Sequence, residues 1–430
     1  MDNNTIAIII LLGVFFGLLL VKVPITFALG LAAVSTAVYM QIPLMAIVQQ
    51  MAKGISSFSL ITIPFFILAG EIMGQGGIST RLVNFSKVIV GRIRGGLAMV
   101  DVLACLFFGG LSGSSVADTT SIGSIMIPMM EKEGYDKDFA VDVTIVSATQ
   151  GVLVPPSHNM ILYSLAAGGI SISSLFLAGI IPGVLLGLSV MVFSYFIALK
   201  RKYPVSDRIP FKQKLVMLKD GILGLMTAVI IMGGIMSGVC TATESAALAT
   251  VYAFIITFFV YKDVPLSRMG DILRKSLKTV AMVMGLIAAS AAFGWMIAMV
   301  QLPALVTNAL ITVTDNRIII FLIINAILLF LGCIMDMAPL ILIATPILLP
   351  VAVQFGMDPV QFGVILMLNL GIGLLTPPVG STLFVGCSIG NISIEKVAKS
   401  LMPFYALMVT VLMVLTFVPQ FSLFLPSLFK

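Results

Sequence analysis

The sequence predicts an all-α polytopic membrane protein, an inverted repeat of about ten crossings with two re-entrant helical hairpins and two broken helices. Three observations predict this fold class. Of the 430 residues, 60% are hydrophobic and 10% are charged, whereas a soluble domain carries about 25% charged residues. Apolar runs of roughly 20 residues, long enough to cross a bilayer, recur from end to end. A motif of the first half also returns in the second half at a constant offset.

Apolar runs predict the spanning helices, in chain order, at 5–21, 24–40, 58–74, 138–168, 174–198, 218–237, 243–261, 278–300, 360–390 and 399–420. The first run has no basic stretch before it and no small-residue cleavage site after it. We therefore predict a membrane helix there rather than a signal peptide. Segment 78–94 has an apolar face and a basic face, which predicts an interfacial arm helix beside the first hairpin.

The repeated motif joins residues 134–156 to residues 356–378, which lie 222 positions later. Its matched positions are Gly134 and Gly356, Asp136 and Asp358, Gly151 and Gly373, and the pairs Pro155-Pro156 and Pro377-Pro378. Each proline pair breaks its helix, because proline removes a backbone donor and clashes with the preceding turn. Two broken membrane helices at matching places in two halves are typical of the binding site of a secondary transporter.

Two further segments, 97–130 and 318–351, are apolar but interrupted in the middle, by GGLSGSSVADTTSIG and by LGCIMDMAPL. Polar, glycine-rich backbone at membrane depth is tolerated only where it is buried in protein or lines a wet cavity. A helical hairpin that enters and leaves the membrane on the same side satisfies this condition. We therefore predict that both segments are re-entrant hairpins.

The orientation of the chain follows from its loop charges. Loops 200–214 and 261–278 are rich in Lys and Arg, and two predicted crossings separate them, so both are expected in the cytoplasm. Each half then holds five crossings and one hairpin, and an odd number of crossings inserts the second half upside down. The first hairpin is expected to open from the cytoplasm and the second from outside, with both termini outside. The net charge of +6 lies in such loops and does not indicate nucleic acid.

Three polar clusters are predicted at membrane depth, at 112–119, at 149–159, and at Asp336 facing 373–382. Proline and glycine there free backbone carbonyls, which together with Ser and Thr hydroxyls form an oxygen cage suited to a monovalent cation. The N-termini of half-helices nearby favour an anion. Because no Lys or Arg lies in the four central segments, dipoles, hydroxyls and bound cations would have to hold a carboxylate ligand.

The roles of several individual polar residues remain open at this point. Asp336 fits a ligand-binding carboxylate or a helix cap, since a carboxylate in an apolar run is costly unless it is paired or wet. Asp118 and Asp142 fit both roles equally, whereas Glu244, at a helix start, fits a cap. His158, the single histidine, fits a proton relay or a hydrogen-bonding residue of the break, and not a metal site. Four cysteines are predicted to be packing thiols, namely Cys105, Cys240, Cys333 and Cys387. The chain has no nucleotide-binding loop, which argues against ATP hydrolysis.

Four motifs together resemble the large membrane subunit of TRAP (tripartite ATP-independent periplasmic) transporters. They are GGLSGSSVADTTSIGSIMIPMMEKEGY, GVLVPPSHNMILY, CTATESAALATVYA and GIGLLTPPVGSTLFVG. The resemblance covers essentially the whole chain. It implies a bacterial inner-membrane permease, not an enzyme, that takes up an organic acid with a sodium gradient by an elevator mechanism. Sialic acid is the expected substrate, with a C4-dicarboxylate as the alternative.

The resemblance also implies partners. A small membrane subunit of four helices, a periplasmic substrate-binding protein and membrane lipid are expected. The small subunit is expected to be a separate chain, since no four-helix segment precedes residue 1. Two other functions stay open, namely a stand-alone proton- or sodium-coupled permease of the dicarboxylate or antiporter type, and a channel or purely structural membrane subunit.

Sites follow from the same resemblance. About two sodium ions are implied, where hairpin tips meet the broken helices. The first site would use Ser112 and Ser115 with Gly151, Val154 and Pro156. The second would use Gly332 with Gly373, Thr376 and Val379. Substrate would lie near Ser114, Ser115, Ala117, Ser157, Asn159 and Asp336. The halves are not fully symmetric, because the second tip has Met335-Asp336-Met337 where the first has Gly113-Ser114-Ser115.

The resemblance finally implies a division of the chain into a transport domain that moves and a scaffold. The transport domain would comprise 97–168 and 318–390. The scaffold would comprise 1–96 with the arm helix, 169–317, and a C-terminal helix within 391–430.

Overall fold

The computed structural model describes residues 3–205 and 209–429, and every regular element in that part of the chain is helical. The helices of the first half are α1 Asn3–Leu20, α2 Ile25–Tyr39, α3 Leu44–Ile55, α4 Thr62–Gln75, α5 Ile78–Val90, α6 Gly96–Ser112, α7 Ser115–Asp118, α8 Ser124–Lys132, α9 Lys137–Ala148, α10 His158–Ala166 and α11 Ile172–Lys200. Those of the second half are α12 Phe211–Met236, α13 Ala242–Ile255, α14 Met269–Met299, α15 Leu302–Val313, α16 Arg317–Gly332, α17 Met337–Gln354, α18 Pro359–Gly373, α19 Ser381–Gly390, α20 Ile394–Ser400, α21 Met402–Phe417 and α22 Gln420–Leu428.

The protein is an all-helical polytopic membrane protein. Within the described residues, 6 helices are long and apolar enough to cross a membrane, or up to 7 if α20 and α21, which meet at 53°, form one bent span. The prediction of about ten crossings is not confirmed by helix length. The hairpins and broken helices are divided into shorter pieces, and most of these pieces are too short to meet that criterion alone.

The interruptions lie where the sequence predicts them. In the first hairpin, α6 ends at Ser112, and a π-helical turn at Thr119–Gly123 joins α7 to α8. In the second hairpin, α16 and α17 are separated by residues 333–336. The first broken helix consists of α9, a 3₁₀ turn at Thr149–Val152 and α10; the second consists of α18 and α19. Both proline pairs contain a cis peptide bond.

Four segments differ from the sequence-based expectation. The predicted loop 261–278 is helical from Met269, because the charged residues there lie on exposed faces where α14 extends beyond its apolar part. The predicted helix 399–420 is divided into three, and Pro403 lies in the first turn of α21, where a missing backbone donor costs nothing. The short helices α3 and α15 lie in segments where no element was predicted.

Two groups of helices pack around the breaks. In one, α2 packs on α1, α3 on α14, α4 on α13, and α5 on α12. At the α4–α13 contact, the hydroxyls of Thr62 and Thr243 lie 2.7 Å apart. The N-terminus of α13 carries a capping box of Thr241 and Glu244, which confirms the cap predicted for Glu244.

The other group joins both halves of the chain. In it, α9 lies between α6 and α19, and α18 packs on α16. A Cβ atom at Gly386 of α19 would lie 2.3 Å from Ile145 of α9, so these two helices are in direct backbone-to-side-chain contact. Helix α11, predicted as scaffold, packs closely on the first break, since a Cβ at Gly179 would lie 2.1 Å from the Leu153 carbonyl oxygen. The division into moving and static parts stays a prediction.

Candidate functional site

The tip of the first hairpin rests on the first broken helix. Gly113, with φ +62°, ends α6 in the left-handed conformation that glycine tolerates best. A Cβ atom there would lie 3.1 Å from the His158 backbone nitrogen, and the Asn159 amide donates to the Gly113 carbonyl at 3.1 Å. The predicted site residues of the tip and of the break are therefore brought together.

A buried carboxylate lies at this junction. The Ser112 hydroxyl donates to one carboxylate oxygen of Asp118, and Asp118 is fully buried. Its other oxygen, Oδ2, has no hydrogen-bond partner within the described residues. A Cβ at Gly151 would lie 2.2 Å from that oxygen, so the carboxylate points at the backbone of Gly151. Burying an unpartnered carboxylate is costly, and a bound cation would compensate that cost.

Two residues of the predicted first sodium site, Ser112 and Gly151, contact this carboxylate. No hydrogen bond to the carbonyl of Val154 or Pro156 is found within the described residues. A carboxylate, a serine hydroxyl and carbonyl oxygens are hard ligands, which suit a hard cation rather than a soft one. Asp118 would add a charged oxygen ligand to the predicted sodium set, which stays a prediction. The sequence left the role of Asp118 open, and only the packing on Gly151 assigns it to this set.

Ser115, the remaining member of that set, connects the two halves of the chain. Its buried hydroxyl lies 3.1 Å from the hydroxyl of Thr382, near the start of α19. Thr382 is fully buried as well. Sequence reasoning placed Thr382 in a polar cluster of the second half but assigned it no role, because a contact across 267 residues has no local signal.

The second hairpin tip rests on the second break in a similar way. The Val379 amide donates to the Cys333 carbonyl at 3.1 Å, and a Cβ at Gly373 would lie 2.5 Å from the Gly332 carbonyl carbon. The predicted second sodium set is therefore brought together. It differs from the first in that the Gly373 carbonyl already accepts from the Thr376 amide at 2.9 Å.

Asp336 does not behave as a helix cap. It directly precedes α17, but its side chain makes no capping hydrogen bond and is exposed. The capping interpretation is therefore wrong, because a cap requires the side-chain oxygen to accept from a backbone N–H of the first turn. Its role in substrate binding stays a prediction.

A cavity of about 500 Å³ opens beside the first hairpin tip. Two of the predicted substrate residues, Ser114 and Ala117, line it together with Ser112 and His158. Three others, Ser115, Ser157 and Asn159, are buried. Asp336 is not among the lining residues. The cavity therefore gathers only the first-half part of the predicted substrate site, and the two alternatives for His158 remain open.

The opposite wall of this cavity carries charge. Glu71 of α4 accepts a hydrogen bond from the Gln75 amide at 2.6 Å, and the Lys275 ammonium lies 3.6 Å from the same carboxylate. The Lys275 side chain is 66% exposed, so it retains freedom to meet a ligand. Sequence reasoning missed this cation, because it searched only the hairpins and the broken helices.

A second cavity, of about 320 Å³, lies further along α14. Helix α14 lines the first cavity with Lys275 and Thr279, and the second with Ile287 and Ser290. The second cavity is also lined by Pro346 of the second hairpin. One helix of the first group thus faces both hairpins, each across a separate cavity.

Comparisons with known proteins agree on a family. The family described as "Tripartite ATP-independent periplasmic transporter, DctM component" matches residues 12–421. The sialic acid TRAP transporter large permease protein SiaM of Vibrio cholerae is 41% identical over 89% of each chain. The C4-dicarboxylate TRAP transporter large permease protein DctM of Pseudomonas aeruginosa is 38% identical over 86% of each chain. The crystal structure of the Alcanivorax borkumensis YdaH transporter has the same fold, with a TM-score of 0.65 at 13% identity over 88% of this chain and 89% of that one.

Proposed function

Because the chain belongs to the family of large permeases of TRAP transporters, we propose that it imports an organic acid by sodium-driven secondary transport. It is a multi-pass protein of the inner membrane and a permease rather than an enzyme. The observation that carries the proposal is the buried carboxylate of Asp118, whose unpartnered oxygen points at Gly151 within the predicted sodium set.

Sodium would be the coupling ion. In the first site, Asp118 would supply a full negative charge and Ser112 a hydroxyl, next to carbonyls of the break. In the second site, the ligands would be backbone carbonyls alone, from Gly332 to Val379. A site with a full charge holds a cation more tightly than one made of dipoles, so the first site is expected to fill at lower sodium.

The substrate would be an anion, and the cavity at the first hairpin tip supports this. Its hairpin wall offers hydroxyls, among them Ser114, and its opposite wall offers the Lys275 ammonium. A carboxylate entering the cavity can replace Glu71 as the partner of Lys275. Similarity to SiaM supports sialic acid, and similarity to DctM supports a C4-dicarboxylate equally well.

The transport step would be an elevator motion. The body that carries both hairpins and both breaks would slide against the group that contains α4 and α14. The two cavities along α14 support this, since they lie where the two groups of helices face each other. We include α11 in the moving body, because it packs on the first break and could not stay behind without exposing it.

Partners complete the proposal. TRAP large permeases work with a small permease subunit and a substrate-binding protein. For this chain we propose the same arrangement, with the small subunit enlarging the static group. Both termini would lie in the periplasm.

The test is uptake into proteoliposomes that contain the chain and its small subunit, with the binding protein added outside. Saturable accumulation of sialic acid or a C4-dicarboxylate, driven by an inward sodium gradient, is expected. Labelled sialic acid and labelled succinate, each competed by the other, identify the substrate. Uptake that ignores sodium and follows pH would contradict sodium coupling and favour His158 or Asp118 as a proton site. Uptake without the binding protein would favour a stand-alone permease, and non-saturable flux would favour a channel.

A further inference from the structure

We propose that a cavity at the end of α11 binds the head group of phosphatidylethanolamine through Asp142 and Lys200. The cavity has a volume of about 570 Å³ and lies between α9, α11 and the bend that joins α20 to α21. None of the predicted sodium or substrate residues lines it. A lipid there would be a structural partner of the permease rather than its cargo.

The floor of this lipid cavity contains a carboxylate with one unsatisfied oxygen; the Ser400 hydroxyl, which also lines the cavity, hydrogen-bonds to the same group. Asp142 lines the cavity and is only 2% exposed. Its Oδ1 atom has no hydrogen-bond partner within the described residues. A buried carboxylate needs a hydrogen-bond donor, and one with a positive charge compensates it best. The primary ammonium of phosphatidylethanolamine offers a positive charge and three N–H donors in one group.

The rim of the lipid cavity contains a cation. Lys200 is the last residue of α11 and is exposed, and no ion pair to it is found within the described residues. Its neighbour Arg201 is already engaged, at 2.8 Å from Asp136 and 3.3 Å from Asp138. The cavity therefore offers one available anion and one available cation. A zwitterionic head group with an ammonium and a phosphate complements both.

The walls of the lipid cavity are aromatic and continue onto the outer surface of α11. Phe193 packs edge-to-face on Phe404 of α21, with 5.0 Å between ring centroids. Phe196, which is 62% exposed, lies next to them and faces away from the protein. Acyl chains can follow this surface while the head group stays at the membrane boundary, which Lys200 marks at the end of a spanning helix.

The two charged residues of the cavity distinguish between the head groups of three lipids. Phosphatidylglycerol has a phosphate but no ammonium, and would leave Asp142 without a partner. Phosphatidylcholine keeps the positive charge but has no N–H donor. Only phosphatidylethanolamine satisfies both Asp142 and Lys200, so we expect it to bind best.

The experiment is native mass spectrometry of the delipidated full-length chain, titrated separately with short-chain forms of the three lipids. Phosphatidylethanolamine should bind at least about tenfold tighter than phosphatidylglycerol, which corresponds to about 1.4 kcal/mol. Asp142→Asn should remove this preference, and Lys200→Gln should weaken the binding of phosphatidylethanolamine and of phosphatidylglycerol. Asp271→Asn, which removes an exposed carboxylate at the start of α14, is the matched control and should change nothing.

A melting series provides a second measurement that does not depend on ionisation in the spectrometer. Phosphatidylethanolamine should raise the melting temperature of the wild type and not that of Asp142→Asn. The variant itself should fold, because asparagine has the shape of aspartate, keeps a carbonyl oxygen for the Ser400 hydroxyl and removes a buried charge. Equal binding of phosphatidylglycerol, or an unchanged preference in Asp142→Asn, would overturn the proposal. Stabilisation through Asp142 by sodium alone, with no lipid preference, would overturn it as well.

Discussion

Replacing Asp118 with asparagine should strongly reduce the stabilisation of the protein by sodium while leaving its fold intact. The carboxylate is fully buried, and the Ser112 hydroxyl donates to one of its oxygens. Asparagine keeps a carbonyl oxygen for that hydroxyl and nearly the same shape. It lacks the negative charge that the unpartnered oxygen directs at Gly151. The substitution therefore isolates the contribution of the charge.

The expected size of the effect follows from the loss of one charged contact. Interactions with a charged group contribute about 1.5–3 kcal/mol, so the dissociation constant for sodium should rise by about 10- to 100-fold. At a sodium concentration 100 times the wild-type constant, bound sodium stabilises the wild type by about 2.7 kcal/mol. After a hundredfold loss, the same concentration would stabilise Asp118→Asn by only about 0.4 kcal/mol.

The assay is the melting temperature of the purified protein in sodium chloride compared with choline chloride at equal ionic strength. Asp101→Asn is the matched control. Asp101 is also fully buried and also on the first hairpin, but its Oδ2 accepts a hydrogen bond from the Thr144 hydroxyl at 2.7 Å. This control should alter the melting temperature in both salts and preserve the difference between them. A wild-type sodium shift in Asp118→Asn would refute the role assigned to its carboxylate.

Three further predictions concern other parts of the protein. Gly151→Ala should abolish sodium-driven uptake, because its methyl group would lie 2.2 Å from the buried carboxylate oxygen; sodium-dependent uptake by the variant would contradict this. Lys275→Gln should raise the KM for the organic acid about two- to fivefold with little change in the maximal rate, as expected for an exposed charge, whereas Lys278→Gln on the same helix should have no effect. The Tyr203 hydroxyl, together with Arg201, lowers the pKa of Asp136. The stability that these interactions contribute is therefore present above about pH 4 and is lost as the pH falls further. When the melting temperature is measured against pH, that of Tyr203→Phe should fall less on acidification than that of the wild type.

The sequence predicted both breaks and both hairpins, because their signals are local. A proline pair removes backbone donors wherever it occurs, and the offset between Pro155 and Pro377 repeats without reference to packing. The ends of the spanning helices were less predictable. Helix α14 begins nine residues before the predicted start at residue 278, since a charged helical end in water lacks the apolar signal of a membrane span.

The site itself was predicted in part. Residues of the tips and breaks were predicted from a resemblance and are brought together by the fold. Asp118 and Lys275 could not be assigned in that way. The role of Asp118 depends on its contact with Gly151, and that of Lys275 on a cavity between helices far apart in the chain. Asp336 carried a strong sequence signal as an intramembrane carboxylate, yet the fold leaves its side chain exposed.

The contact between Ser115 and Thr382 has a consequence for cooperativity. Each proposed sodium site is built within its own half of the chain, and this hydroxyl pair directly joins the first hairpin tip to the helix that follows the second break. Ordering one site would therefore favour the arrangement that the other requires, and such coupling is reciprocal. Uptake plotted against sodium concentration should be sigmoidal, and Thr382→Val should lower its Hill coefficient towards one while both ions still bind. An unchanged Hill coefficient would mean that the two halves communicate by another route, such as the contact of α9 with α19.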